Sequence, residues 1–532
     1  MSVVSDGTKG SNQRSRRRYF RGEKKTEGAS AQQRVLLSEL VIGEPDANIE
    51  QTTAWRLRVQ PIFQSHYYPL PNYNSSQFIS GEKTFVLGQK GTGKTALLRN
   101  LQHQCASIGL MTEFIVFKSS ILEETDLIQE SQIAIFDDKK AAQAKHYYHM
   151  LKRLVLLLIA SRSKQGAFDE SSDLSDDDRG LLSRIVGQDA ASAIKNTFDS
   201  ILSTFKAISI DMSNATGGKV DIDVSRKIKS MNDSLSKAVL QDAKRNGLRL
   251  RIFFDEVHFS YQSADGQLTN AMLVRDLLHV CTVLNSTFAE QQIDVILYAA
   301  VRSEFLMHPV IKELDSVHTV ESASFSINWH EYPFNRDHPL FKFIAKRLVT
   351  RDGGRATNPL TVLSGIDPGE FLSHTWAKPR DFVRFFRTAQ ALYPERWSLD
   401  RSRVKTVLNK YGELSWSELL ASLASFIPQG GRVALENYIR RIAPHFLDGS
   451  SQLTVEDFAD GIEDVYLAAT AGGSFDFSRE EFVEMLYVLG LFSTEKSDRS
   501  GQRIEHAYHR GNRSPQMDGK VRLHRAIQLA FG

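Results

Sequence analysis

The chain has 532 residues, 41% of them apolar and 24% charged, with only 14 Pro and 33 Gly, which excludes fibrous and wholly disordered classes and leaves room for about three domains. Its net charge of +3 is too small to define a partner, so the placement of charge has to decide that. Two cysteines, Cys105 and Cys281, are too few for a disulfide framework or a Cys-based zinc site, and a reducing, cytoplasmic setting is expected. The longest apolar run, Leu154 to Ala160, is far shorter than the roughly twenty residues of a membrane span, and the first residues carry charge where a secretory leader needs an apolar core. No membrane contact is expected.

Residues 1–34 hold nine basic and three acidic side chains among Ser, Gly and Gln, a local charge of +6 with almost nothing to bury. This predicts a disordered basic tail, which is either a contact for nucleic acid or another anionic surface, or simply solvated.

From Lys83 the pattern becomes strand, glycine-rich turn, helix: Lys83 to Leu87 is short and apolar, and a helix runs from Thr95 into Cys105. Further strands are expected at Glu113 to Phe117, Leu250 to Phe254, Ile293 to Ala300 and Ala323 to Trp329. Strands alternating with helical stretches predict an α/β fold with a parallel five-stranded sheet covered on both faces. Between the second and third strands, residues 118–248 exceed what a crossover needs and read as a helical insertion, with helices at Ala141 to Ser161, Leu181 to Phe205 and Val224 to Lys244. The acidic run Asp169 to Asp178 reads as a solvated loop rather than a metal site, and His146 and His149 as ordinary helix residues without a third ligand.

The turn itself, Gly88-Gln89-Lys90-Gly91-Thr92-Gly93-Lys94-Thr95, matches the P-loop pattern in its required strand-to-helix setting. Glycines at these places let consecutive N–H groups face a phosphate at the positive end of the helix that continues through Ala96. Lys94 is expected to reach the β and γ phosphates of a nucleotide and Thr95 to bind Mg²⁺. Arg251-Ile252-Phe253-Phe254-Asp255-Glu256 is an apolar strand ending in two acids. Asp255 is expected to hold the Mg²⁺ water shell and Glu256 to orient or deprotonate the attacking water. The strand from Ile293 ends in Arg302, which arrives near the γ-phosphate if that strand lies beside the first; the alternative is a surface arginine. Pro379 starts a helix that puts Arg380 at its head, where it either contacts nucleotide phosphates or makes a helix-start ion pair. Asn409-Lys410-Tyr411-Gly412 lacks the acid of a guanine-specificity signature, so ATP is the expected nucleotide.

After residue 330 the chain is mostly helical. Helices are expected at Phe341 to Leu348, Pro379 to Tyr393 and Trp416 to Phe426. From Val433 come three more, two opening with capping patterns, Thr454 to Asp457 and Ser478 to Glu481. Ile504 to His509 and Lys520 to His524 read as a terminal hairpin, completing a winged helix. The expected domains are the tail (1–34), a nucleotide-binding core (35–335), a helical lid (336–430) and a winged-helix-like domain (431–532). Residues 496–525 carry +5, which leaves −8 for the body between the two basic ends.

Gly88 to Thr95, the Asp255-Glu256 strand, the strand ending in Arg302 and the Lys378-Pro379-Arg380-Asp381 helix start resemble the Walker A, Walker B, sensor 1 and sensor 2 elements of the AAA+ and STAND P-loop ATPases, over roughly residues 80–395. The resemblance implies strand order 5-1-4-3-2, ATP with Mg²⁺, and a nucleotide-driven switch that is often oligomeric. Two features depart from it: the long 118–248 segment, and an arginine in place of the polar sensor 1 residue, which favours the STAND side. The function expected is ATP hydrolysis driving a switch associated with duplex DNA through residues 1–34 and 496–525. The alternative is a nucleotide-gated signalling or defence scaffold that assembles with a protein partner.

Overall fold

The computed structural model describes residues 34–117, 146–164, 167–168, 174–187, 220–256, 265–307, 311, 317–424, 427–447, 452–470, 478–497, 503–508 and 514–531. Residues 1–33 of the basic tail, the first half of the acidic run (169–173), Arg499, Arg510 and Arg513 lie outside these residues.

Five strands form an all-parallel sheet: β1 (Phe85–Gly88), β2 (Met111–Val116), β3 (Arg249–Asp255), β4 (Asp294–Arg302) and β5 (Ser324–Ser326). Their spatial order is β2-β3-β4-β1-β5, the order 5-1-4-3-2 expected from the resemblance, and each strand lies within a few residues of its predicted position. The central strands are buried on both faces, as a parallel sheet requires: Val86, Ile252, Phe253, Phe254 and Leu297 are inaccessible to solvent. Phe253 stacks on Tyr298 of the neighbouring strand at 4.8 Å, and the Tyr298 hydroxyl donates to Phe78 O.

Helix α1 (Ala47–Leu57) precedes the sheet, and α2 (Lys94–Ser107) follows β1 and packs on it. Between β2 and β3 lie α3 (His146–Ala160) and α4 (Val220–Arg245), while α5 (Asp265–Glu290) leads into β4. The described helices of the segment expected as an insertion contribute to the main core. The apolar run Leu154 to Ala160 is buried throughout α3, which packs against α4 and α5 as part of the main core. One reading is corrected: Asp178 of the acidic run is not solvated but 1% exposed, capped by the Ser175 hydroxyl and ion-paired with buried Arg153 of α3. Charge density in the sequence hid this because the partner lies 25 residues back.

After the sheet come α6 (Pro379–Leu392) and α7 (Arg401–Leu423). The latter begins fifteen residues before the expected Trp416, capped by the Asp400 side chain on Arg403 N. The C-terminal part has helices Gln429–Ile442, Val455–Gly461 and Glu463–Thr470, then α8 (Arg479–Val488), a three-stranded antiparallel sheet and α9 (Arg525–Phe531). Both expected capping boxes form: Thr454 with Asp457, and Ser478 with Glu481. Each cap contributes about 1 kcal/mol.

The expected terminal hairpin is corrected. β7 (Arg503–His506) and β8 (Lys520–Leu523) do not pair with each other; both flank β6 (Phe492–Ser497). The sequence does not mark the Phe492–Ser497 strand because two of its three buried positions, Ser493 and Thr494, are polar and only Phe492 is apolar, which leaves no apolar alternation. Their hydroxyls are satisfied instead, Ser493 by Glu505 and Thr494 by Gln516 N.

Candidate functional site

The glycine-rich loop leaves β1 at Gly88 and enters α2 at Lys94. Gly91 and Gly93 have φ of 85° and 102°, a region that favours glycine, and any Cβ on Gly91 would lie 3.1 Å from Arg380 Cβ. Leu97 N bonds Gly93 O as the first turn of α2 closes, so the N–H groups of Lys94, Thr95 and Ala96 precede the intrahelical ladder and open toward the loop. The Lys94 amine lies across the loop, donating to Gly88 O at 2.7 Å and Gln89 O at 2.9 Å. Burial pulls its pKa down to about 7, with Glu304 opposing that shift.

The two acids stand at the end of β3. Asp255 is 2% exposed and lines the same cavity as Lys94 and Thr95, so the acid strand ends beside the loop. Burial pushes the Asp255 pKa up, opposed by Thr95 and the Lys94 charge. Glu256 follows with φ of 50°, a left-handed turn that takes its side chain out of the strand's alternation. A residue that the sequence did not reveal, Asn48 on α1, lies across both acids: its Nδ2 is 3.3 Å from Asp255 Oδ2 and 3.3 Å from Glu256 Oε1. Asp46 caps that helix, a pattern visible in the sequence, but nothing there linked α1 to acids more than 200 residues away.

β4 pairs with β1 so that Arg302 is the register partner of Gly88. The expectation that its strand neighbours the loop strand is met. Desolvation lowers the Arg302 pKa, with Glu304 and Glu256 among the acids opposing it. Arg380 also reaches the loop: its backbone N–H donates to Gly91 O at 3.3 Å. Its guanidinium bonds Pro45 O, Asp46 and Glu418, so among the described residues the helix-start arginine is ion-paired. Glu418, on α7, was also missed; it binds Arg384 as well and lies 3.7 Å from Lys90 of the loop. Burial pushes the Glu418 pKa up, but Arg380, Arg384 and Lys90 outweigh it and hold the carboxyl well below the usual carboxylate range.

The loop from Lys90 onward, the two acids, Arg302, Arg380 and Glu418 line one cavity of about 750 Å³, within the span of small-molecule sites. Loop, acids and arginines form its polar side, and Phe63, Tyr67, Tyr68, Leu70, Phe343 and Val383 its apolar side. Much of that apolar side comes from residues 63–70, a stretch with no regular periodicity in the sequence. It is held by Glu50 of α1, which accepts from Phe63 N and Glu44 N and pairs with buried Arg347.

The C-terminal module touches the same loop. Gln89 Nε2 donates to Val488 O, Trp376 Nε1 donates to Gly490 O, and the Trp376 ring stacks on His524. Of the basic residues expected to face DNA, Lys496 is paired with Asp518 and Arg522 with Glu495. Among the described residues, no cluster of three or more His, Cys, Asp or Glu side chains has metal-binding geometry, and no helix is long and apolar enough to cross a membrane. No protein-family model matches the chain, and no curated protein matches it as a relative.

Proposed function

We propose that the protein is a P-loop ATPase of the kind its motifs resemble, binding ATP with Mg²⁺ and using slow hydrolysis as a conformational switch. The observation that carries this reading is the meeting of the Gly88–Thr95 loop with the acid strand: Lys94, Thr95 and Asp255 line one cavity, and Arg302 is in register with Gly88. A glycine-rich turn without a phosphate role has no need of a lysine, a buried acid and an arginine around one cavity.

Thr95 and Asp255 suit Mg²⁺, which takes one or two protein oxygens and completes its shell with water and phosphate. The metal would neutralise phosphate charge as it develops. Lys94, released from the Gly88 and Gln89 carbonyls, would bind the β and γ phosphates, with the N–H groups of Gly91 to Ala96 around them. Glu256 would orient the attacking water and take its proton, and Asn48 would hold that carboxylate in place. Arg302 and Arg380 would meet the γ-phosphate charge. The aromatic side of the cavity would enclose the base.

The switch has two candidate outputs. Duplex DNA would be bound through residues 1–34 and 496–525, and Lys496 and Arg522 would first have to leave Asp518 and Glu495. Docking of the winged-helix-like module onto Gln89 and Trp376 favours the second output, in which nucleotide frees that module to meet a protein partner or a second copy. The deciding experiment measures ATP binding, ATP hydrolysis and solution mass for the wild type and Glu256→Gln, with and without duplex DNA. Turnover raised by DNA supports the first output. An ATP-dependent change of mass indifferent to DNA supports the second. Absence of ATP binding overturns the proposal.

A further inference from the structure

We propose that Glu418 is an internal anion that holds the phosphate-facing cations Arg380, Arg384 and Lys90 and must be displaced by an incoming polyphosphate. The inference rests on the nucleotide reading of the same cavity and names how that site is regulated.

One carboxylate serves three cations. Its Oε1 faces Arg380 Nη1 and Lys90 Nζ, and its Oε2 faces Arg384 Nη2. All four side chains line the cavity and remain partly exposed, Glu418 at 18% and the cations between 16% and 28%. They are reachable by a ligand. Holding α6 against α7 needs one arginine, yet Glu418 also takes a lysine from the loop, and Arg380 is itself tied to that loop through Gly91 O. The carboxylate therefore stands against the loop, where a second anion has the same partners to win. Arginine forks bind phosphate oxygens as readily as carboxylate, and a polyphosphate brings more charge than one glutamate.

Displacement also has a mechanical consequence. Gly412 of α7 lets α9 approach so closely that a Cβ there would lie 2.5 Å from Ala526 O, and Trp416 packs edge-on against Phe531 at 4.9 Å. Glu418 lies on the same helix. When its carboxylate leaves the loop, α7 and the C-terminal helix packed on it are released together. Nucleotide can shift this equilibrium only by the difference in its affinity for the two states, and a closed latch lowers apparent affinity by the fraction of open protein.

The test compares the affinities of wild type and Glu418→Gln for ATP, ADP and inorganic pyrophosphate, alongside thermal unfolding without ligand. Glutamine keeps the shape and removes the charge. Expected is a lower unfolding temperature without ligand and affinity raised by about tenfold, more for ATP than for ADP. Unchanged or weaker binding of all three ligands overturns the latch and leaves the nucleotide reading standing if the wild type binds ATP. Tighter pyrophosphate binding with no ATP binding supports the latch and overturns the nucleotide reading. Should Glu418→Gln fail to fold, Glu418→Asp retains charge but withdraws the carboxylate by one methylene. A gain of about threefold then supports the latch, and no gain overturns it.

Discussion

The Trp376 indole lies flat on the His524 imidazole, ring centroids 3.9 Å apart and planes 7° from parallel. Trp376 stands three residues before the helix that carries Arg380, and His524 directly follows the last strand of the C-terminal sheet, so this stack joins the cavity-lining helix to the C-terminal module. The His524 ring also meets Thr375 O, and the indole N–H donates to Gly490 O. Trp376→Ala removes the stack and a buried hydrogen bond together and is expected to destabilise by roughly 3–5 kcal/mol. Hydrogen exchange should rise first in β6 and β8. Uniform loosening of the whole chain would show that the stack does not define the joint.

Asn48 links the N-terminal helix to the proposed catalytic acid. Asn48→Ala should leave ATP affinity within about threefold while lowering turnover by about tenfold, below the effect of removing the base itself. Steady-state kinetics with binding measured separately checks this. A variant with full turnover would remove Asn48 from the account.

Two partly buried lysines give the site a pH signature. Burial lowers the pKa of Lys94 to about 7 and of Lys90 to about 8, from 10.5. Above those values the free protein has lost protons that a bound phosphate chain requires, so binding must take protons up, and affinity must weaken as pH rises from 7 to 9. Calorimetric titration in buffers of different ionisation enthalpy reads the uptake directly, and proton release would contradict it. The fold responds in the opposite sense. Between the folded and unfolded pKa values the unfolded chain binds more protons, so the ligand-free protein gains stability from these lysines as pH rises through that window.

Arg153 and Asp178 are 6% and 1% exposed and bind each other inside the helical layer. Removing one partner leaves a buried charge alone, and Asp178→Ala should destabilise by about 3–5 kcal/mol in denaturant unfolding. Replacing both with apolar residues of similar volume should recover most of that loss. A mild effect of Asp178→Ala would return this aspartate to the solvated surface.

The chemistry of the candidate site was legible in the sequence where it is carried by short segments. Gly88 to Thr95 needs its glycines for backbone reasons, and Asp255 follows an apolar strand whose burial is written in Ile252, Phe253 and Phe254. Both could be placed because local pattern alone sets the backbone and the burial there. Asn48 and Glu418 could not, since each is an ordinary polar residue on a helix and gains its role from partners far along the chain. The Phe492–Ser497 strand escaped for a related reason: beside Phe492 its buried side chains are the hydroxyls of Ser493 and Thr494, satisfied by hydrogen bonds, so hydrophobic alternation never marked it. The acidic run misled in the opposite direction, because charge counts exposure only when no buried arginine waits across the core.

The account's central claim is that the Gly88–Thr95 loop holds nucleotide phosphates through Lys94. Equilibrium binding of ATP to the wild type and to Lys94→Ala tests it most directly. The variant deletes a half-buried amine whose contacts lie within the loop, so thermal unfolding should confirm that the fold persists. The account predicts that the wild type binds ATP and that the variant loses about a hundredfold or more in affinity, the scale of two charge-assisted hydrogen bonds. Equal affinity in two folded proteins would contradict it.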